Sequence, residues 1–368
     1  MYGRTVASTS APQGLVKRLG GAALTLLALL AGTPPAAAEH AGDGRIHLQI
    51  VGGLAGVTQY TKLEQPFWQN EIAERSNGRI TASIRPFDGG GLRGQEMLQL
   101  MRLGVVPFGT ALLSLVSGDD PELNAVDLPV LNPDMATLRR SIAGFREHLA
   151  EVLRVRYDIQ LLAVYAYPAQ VLFCTRPFSG LTDLAGRKIR TSSVGQSELM
   201  SALGAVPVLL PFKEIVSALK SGVVDCAVTG TLSGYEIGLQ GITDYVHSMA
   251  ITWGLSFFGA NMVAWNALSP EDQKIISTGI ADLERRIMDQ AEADTARGLA
   301  CNTGAIACGA SGGPPMKLVP ASAADEARRQ ELLSKISLPR WIERCGAPCA
   351  EAWNLHLAPT HTFTVKAE

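Results

Sequence analysis

The side chains that could carry chemistry fall into four groups: glycine-framed turns, histidines, carboxylates and cysteines. Gly89-Gly-Gly-Leu-Arg-Gly94 has the spacing of a dinucleotide-binding turn and sits between a strand signal and a helix signal, as that motif requires. The acidic residue expected about 20 positions further on is met only loosely by Asp119-Asp120. The segment therefore reads as a flexible strand-to-helix turn whose amides face a ligand, with an exported dinucleotide-dependent enzyme as the alternative. Gly309-Ala-Ser-Gly-Gly313 matches a serine-hydrolase elbow by spacing, but it lies in a Gly/Pro-rich stretch to Pro315 that reads as a loop and lacks the strand-to-helix turn an elbow needs. The histidines form no His-Glu-x-x-His pair, and His356 with His361 has ordinary tail spacing, so no metal site is expected. Acidic residues scatter over helix caps and solvent faces, which leaves no carboxylate pair for acid–base work. No cofactor is expected.

The six cysteines take their meaning from compartment. Met1 to Arg18 carries Arg4, Lys17 and Arg18 with no acidic residue, Leu19 to Ala31 is an apolar run, and Thr33-Pro-Pro-Ala-Ala-Ala-Glu39 offers a small-residue cleavage site. This is the order of a secretory signal peptide, residues 1–38, cleaved near Ala38 to leave 330 residues. An uncleaved anchor is the competing reading, but the run is shorter than the ~18–20 residues that span a bilayer. The mature chain is expected to be exported to an oxidising compartment. There, Cys301 with Cys308 and Cys345 with Cys349 read as two local disulfides, and a four-cysteine zinc site is the alternative. Cys174 and Cys226 end the apolar runs Val171-Leu-Phe-Cys and Val223-Val-Asp-Cys, which suits buried free thiols; a third disulfide between them stays open.

The elements that must position such groups are legible along the chain. Apolar residues make up 47% and charged residues 18% of the 368 positions, which excludes a mostly disordered chain, and a formal charge of −2 gives no basic footprint for nucleic acid. Length alone predicts two domains. Ile46 to Val51 alternates like a strand, Thr58 to Arg75 has helical spacing, Arg79 to Arg85 is a strand, Gln95 to Arg102 a helix and Val106 to Leu115 a strand. Later strands are expected at Gln160–Tyr165, Lys188–Thr191, Val206–Leu209 and Val224–Val228, with helices at Gln196–Leu203 and Phe212–Lys220. A long helix should start at the Ser269-Pro-Glu cap and run to about Leu299, with Ile275, Ile276, Ile280, Leu283, Ile287 and Ala291 on one side. Alternation of this kind predicts an α/β fold of mostly parallel sheets flanked by helices.

One set of segments resembles a known family. Ser179-Gly-Leu-Thr-Asp-Leu-Ala-Gly-Arg-Lys-Ile-Arg190, Leu203-Gly-Ala-Val-Pro-Val-Leu-Leu-Pro-Phe-Lys-Glu214 and Ala218-Leu-Lys-Ser-Gly-Val-Val-Asp225 are similar to the solute-binding proteins of TRAP (tripartite ATP-independent periplasmic) transporters. Leu103-Gly-Val-Val, Asp120-Pro-Glu-Leu, Asp127-Leu-Pro, Leu268-Ser-Pro-Glu-Asp-Gln273 and the tail Trp341-Ile-Glu-Arg-Cys-Gly-Ala-Pro-Cys349 with Glu351-Ala-Trp-Asn354 continue the likeness over most of the mature chain. The resemblance implies a two-lobed periplasmic binding protein fold (class II-like) with a long helix spanning both lobes. Lobe I is expected over residues 45–166 plus 254–285, and lobe II over 167–253 plus 286–368 with a disulfide-bearing extension. The implied function is capture of a small organic acid and its delivery to the transporter's membrane subunits. A sensor module without transport, or an exported hydrolase, are the other classes.

In that family the arginine ending the Gly-x-Lys-Ile-Arg strand pairs with the substrate carboxylate, and Arg190 holds that position. A planar guanidinium can donate two parallel bonds to a carboxylate, each charge-assisted bond contributing ~1.5–3 kcal/mol. Thr229 stands where most members carry a ligand-contacting asparagine, and Tyr165-Ala-Tyr167-Pro-Ala-Gln170 replaces a Gly-Phe-Arg stretch, removing a second cationic clamp. One arginine with Tyr165, Tyr167, Gln170 and Trp253 points to a monocarboxylate, such as a hydroxy, keto or aromatic acid. Gln59, Tyr60, Gly89 and Gly90 are the first-lobe candidates, because Gly52-Gly-Leu-Ala-Gly-Val-Thr-Gln-Tyr60 joins the first strand to the first helix. Core packing is the competing role for each aromatic.

Overall fold

The computed structural model describes residues 39–40, 45–89, 91–309, 313–361 and 363–366. The expected signal segment, Gly90 and Ser311 lie outside them. Twelve strands form in chain order: β1 (Glu39–His40), β2 (Ile46–Gly52), β3 (Ile80–Pro86), β4 (Phe108–Leu112), β5 (Ile159–Tyr165), β6 (Gln170–Cys174), β7 (Lys188–Thr191), β8 (Val206–Leu209), β9 (Cys226–Gly230), β10 (Tyr245–His247), β11 (Ser256–Asn261) and β12 (Lys317–Val319). They build two six-stranded sheets, one in the order β1-β2-β4-β11-β5 with β3 beside β2, the other in the order β12-β10-β6-β9-β7-β8.

The sheets are mixed, where the alternation of elements predicts mostly parallel ones. β2 runs parallel to β3 and β4, and β7 parallel to β8 and β9, but β11 is antiparallel to β4 and β5, and β6 antiparallel to β9 and β10. The cause is the chain's passage between sheets. Residues 166–169 lead from β5 into β6, and residues 248–255 lead from β10 back into β11. A strand that begins at the edge where its neighbours end must run against them.

The two passages are zipped together. Ile251 N–H donates to Gln170 O and Gln170 N–H to Thr252 O, both at 2.8 Å, and Tyr167 N–H donates to Trp253 O at 3.2 Å. Asp127 fastens the second passage by accepting from Trp253 N–H at 2.8 Å and Leu255 N–H at 3.1 Å. Burial pushes its carboxyl up to about 6 despite these donors.

Helices cover both faces of each sheet, as the α/β reading requires. Residues 58–75 are helical, and Phe67, Trp68 and Ile72 pack with Phe258, Ile276, Ile280, Leu283 and Ile287 in one core. The long helix runs Pro270–Asn302, capped by the Ser269 hydroxyl, and buries the stripe predicted for it apart from the half-buried Ile275. It carries Gly298 where any Cβ would collide with Thr231 and Leu232, so the Thr231–Glu236 helix lies directly on it. A 23-residue helix, Met135–Tyr157, capped by Asp134, and the helical segments of residues 323–361 have no counterpart among the predicted elements.

In the second sheet, pleating sends Leu172, Cys174, Cys226 and Val228 into one core and Val171, Phe173 and Ala227 into the other. Cys174 and Cys226 are partners in register across β6 and β9 and form a disulfide. This corrects the free-thiol expectation: opposed residues of an antiparallel pair bring their side chains together on one face, within reach of a bond. Cys301–Cys308 and Cys345–Cys349 are bonded as expected.

Candidate functional site

Arg190 is the penultimate residue of β7, and the chain leaves the sheet one residue later. It lies opposite Ala227, so the register places it and Thr229 on the same face of the sheet, at the carboxyl ends of two parallel strands. Its side chain is 3% exposed. Nε donates to Leu210 O at 3.0 Å and Nη1 to Val228 O at 2.7 Å, which holds the guanidinium across the ends of β8 and β9. Nη2 has no partner among the described residues, and no carboxylate there pairs with the group. Desolvation with nothing opposing it pulls its pKa down to about 9. The Thr229 hydroxyl is buried on β9 without a side-chain bond to a described residue.

Gln170 opens β6 opposite Gly230, at the same sheet edge but on the other face. Its Oε1 accepts from Gln196 Nε2 at 2.7 Å and from Thr252 Oγ1 at 2.9 Å. Gln196 Nε2 also donates to Thr252 Oγ1 at 2.7 Å, and its Oε1 accepts from Ser192 N–H at 2.9 Å. This network locks the turn after Arg190 to both passages between the sheets and leaves the Gln170 amide NH2 without a partner among the described residues. Sequence reasoning missed Gln196 and Thr252, since neither lies in a motif. The one local signal was Ser193, which caps the Val194–Ala202 helix by accepting from Gln196 N–H.

On the first sheet's side, Gly53 follows β2 so closely against Tyr167 that a Cβ would sit 2.7 Å from its hydroxyl. That glycine lets Leu54 N–H donate to Tyr167 Oη at 3.2 Å. Glu64, also unforeseen, is 1% exposed and accepts from Gly53 N–H at 2.8 Å and Gln59 Nε2 at 2.5 Å. Burial pushes its carboxyl up to about 7. Gln59 and Tyr167 line one crevice together. Tyr60 is buried, with its hydroxyl 3.5 Å from Ile84 O, and Gly89 is exposed at the end of the turn after β3.

Two aromatics face elsewhere. Trp253 is 3% exposed and its indole Nε1 donates to Asn132 O at 2.9 Å, so the ring braces the second passage. Tyr165 is fully buried and stacks on Phe258 inside the first sheet's core. Both correct the placement of these rings around the arginine, because the residues flanking a passage alternate between the passage and the core.

Two mixed sheets with helices on both faces, joined by zipped passages and carrying at a strand-end edge a buried cation with no carboxylate partner among the described residues, define a two-lobed binding protein. Residues 55–300 match the model of the bacterial extracellular solute-binding protein family 7, the DctP family, and the chain belongs to it. It is 23% identical over 264 residues to a solute-binding protein of Roseobacter denitrificans, covering 71% of this chain and 78% of the relative. Its fold superposes with a TM-score of 0.75, at 20% identity, on a Bordetella pertussis extracytoplasmic solute receptor binding pyroglutamic acid, over 84% of this chain and 99% of that one. A TRAP periplasmic solute-binding protein from Rhodoferax ferrireducens with bound malonate gives 0.74 at 21% identity, over 86% and 98%. No helix among the described residues is long and apolar enough to cross a membrane.

Proposed function

We propose that this protein is exported to the periplasm after cleavage near Ala38, captures a small organic acid between its lobes and hands it to the membrane subunits of a TRAP transporter. The carrying observation is Arg190, a cation 3% exposed that meets two carbonyl oxygens and, among the described residues, no carboxylate. Burying an unpaired charge costs several kcal/mol. An anion that completes the guanidinium's bonding recovers that cost. Ligands of the similar proteins agree in class: pyroglutamic acid, malonate, and C4-dicarboxylates for a Rhodobacter capsulatus periplasmic protein 28% identical over 159 residues.

The lobes correspond to residues 45–166 plus 254–285 and 167–253 plus 286–368, a division supported by which sheet each strand joins. Arg190 binds the carboxylate, and the Thr229 hydroxyl and free Gln170 amide donate to neutral oxygens of the ligand. With one cation at the site among the described residues, a monocarboxylate bearing hydroxy or keto oxygens fits better than a dicarboxylate. A thermal-shift screen of the mature protein against organic acids tests this. A monocarboxylate should raise the melting temperature by mass action and fail to do so in Arg190→Ala. Equal stabilisation of both proteins would remove the clamp assignment.

A further inference from the structure

The segments that follow β2 in the first sheet and β9 in the second touch each other. Thr58 Oγ1 donates to Glu236 Oε1 at 2.7 Å, joining residues 178 positions apart. Each end of this bond is fastened to its own side. On the first, the N–H groups of Gly53, Leu54 and Ala55 donate in turn to Glu64, Tyr167 Oη and Asp88 Oδ1, so the chain leading to Thr58 is pinned residue by residue. On the second, Glu236 ends the Thr231–Glu236 helix, which is tied to the long helix by Thr231 Oγ1 donating to Thr295 O at 3.0 Å and Asn302 Nδ2 donating to Thr231 O at 2.9 Å. Groups held this firmly cannot follow one another when the sheets move apart. The bond survives only while the sheets stay together.

Its placement adds a charge effect. Thr58 opens the helical run of residues 58–75 and makes no side-chain cap for it. The Glu236 carboxylate, from the other side of the molecule, meets the Thr58 hydroxyl and backbone N–H instead. Amides at a helix start lack partners within the helix and carry partial positive charge, so a carboxylate there is favoured on both counts. Asp294 on the long helix repels Glu236, and the exposed Lys62, one turn beyond Thr58, attracts both carboxylates.

We infer that Glu236 is a latch: its carboxylate, supplied from the second sheet's side, caps the helix on the first sheet's side and holds the two together over the bound acid. This rests on the capture reading above and deepens it, because a ligand enclosed between two lobes leaves only after they part. Weakening the contact lowers the fraction of closed molecules and speeds release, while entry from solution is untouched. Glu236 and Thr58 need not touch the ligand; they are positioning residues.

Association and dissociation rates of the acid that stabilises the mature protein most, followed by stopped-flow fluorescence, test the latch. Glu236→Ala and Thr58→Val should each release the acid roughly 3–10-fold faster, with association within about twofold of the wild type. Glu236→Gln keeps an acceptor without the charge and should fall between. The double variant should release no faster than the quicker single one, because both changes remove one contact. Lys62→Met should give a smaller rise that vanishes near ~1 M salt, where screening acts within ~3 Å. A bond that only supports the fold would lower the melting temperature and leave both rates alone. Unchanged release, or single effects that multiply in the double variant, overturns the latch. If no organic acid binds the wild type, the transport reading has failed and small-angle scattering decides: the double variant should show the larger radius of gyration, and equal radii overturn the latch.

Discussion

Two buried arginines divide the molecule instructively. Arg329, in the C-terminal extension, is 7% exposed and donates Nη1 to Val130 O at 2.7 Å, much as Arg190 donates to Val228 O. The difference is an anion. Arg329 also pairs with Glu326 one turn away, through Nε at 2.8 Å and Nη2 at 2.5 Å. Its charge is used up within the fold and serves to hold the Ala323–Leu332 helix against residue 130. Arg190, buried to 3% exposure, has the same kind of carbonyl partner but no carboxylate among the described residues. Burial alone therefore does not mark a binding residue; an incomplete set of partners does.

The disulfides repeat the contrast between these regions and yield the largest expected effect. Cys174–Cys226 closes 52 residues of the sheet that carries Arg190, while Cys345–Cys349 closes 4 in the extension. Chain-entropy arguments give about 4 kcal/mol for the long loop and about 2 kcal/mol for the short one. Replacing Cys174 and Cys226 together by Ala should lower unfolding stability by roughly twice as much as the same change at Cys345 and Cys349, measured by urea denaturation. Equal losses would mean that strand pairing, and not loop closure, governs the sheet.

A smaller effect is expected from Glu64, a buried carboxylate whose pKa stands at about 7 against 4.5 for the free group. Its folded pKa is raised, so the native state keeps a proton that the unfolded chain has released, and its contribution to stability falls as pH rises from 4.5 to 7. Glu64→Gln should remove a decline on the order of 2–3 kcal/mol between pH 5 and pH 7.5, read from unfolding curves at each pH. An unchanged pH profile would show that Glu64 is ionised in the fold. The smallest effect belongs to Arg329→Met, which strands the Val130 carbonyl but leaves Glu326, half exposed, free to rehydrate. A stability loss of roughly 1–2 kcal/mol is expected, with ligand affinity untouched; a loss of affinity would join the two arginines in one function.

What the sequence made legible follows from how local each signal is. β7 and β8 fall where predicted because a short apolar strand beside Gly-Arg-Lys and a Pro are local marks, and the family-like segment placed Arg190 at a strand end directly. The Ser269 cap and the apolar stripe located the long helix for the same reason. Strand direction is not local. β6 and β11 run against their neighbours because of passages between sheets, so neither the mixed topology nor the Cys174–Cys226 register could be read from spacing. Within the site, Gln196, Thr252 and Glu64 act through partners 26, 56 or 11 positions away. Trp253 and Tyr165 were placed by residue type, yet the fold uses their size to brace a passage and fill a core.

Isothermal titration of the wild type, Arg190→Met and Arg329→Met with whichever acid stabilises the protein most tests the central claim most directly. Arg190→Met should lose affinity by at least about 30-fold, the low end of what removing one partner of a buried charge pair costs. Arg329→Met should bind as the wild type does. An Arg190→Met protein that keeps its affinity within a factor of about three, well under 1 kcal/mol, would contradict the assignment of Arg190 as the carboxylate clamp.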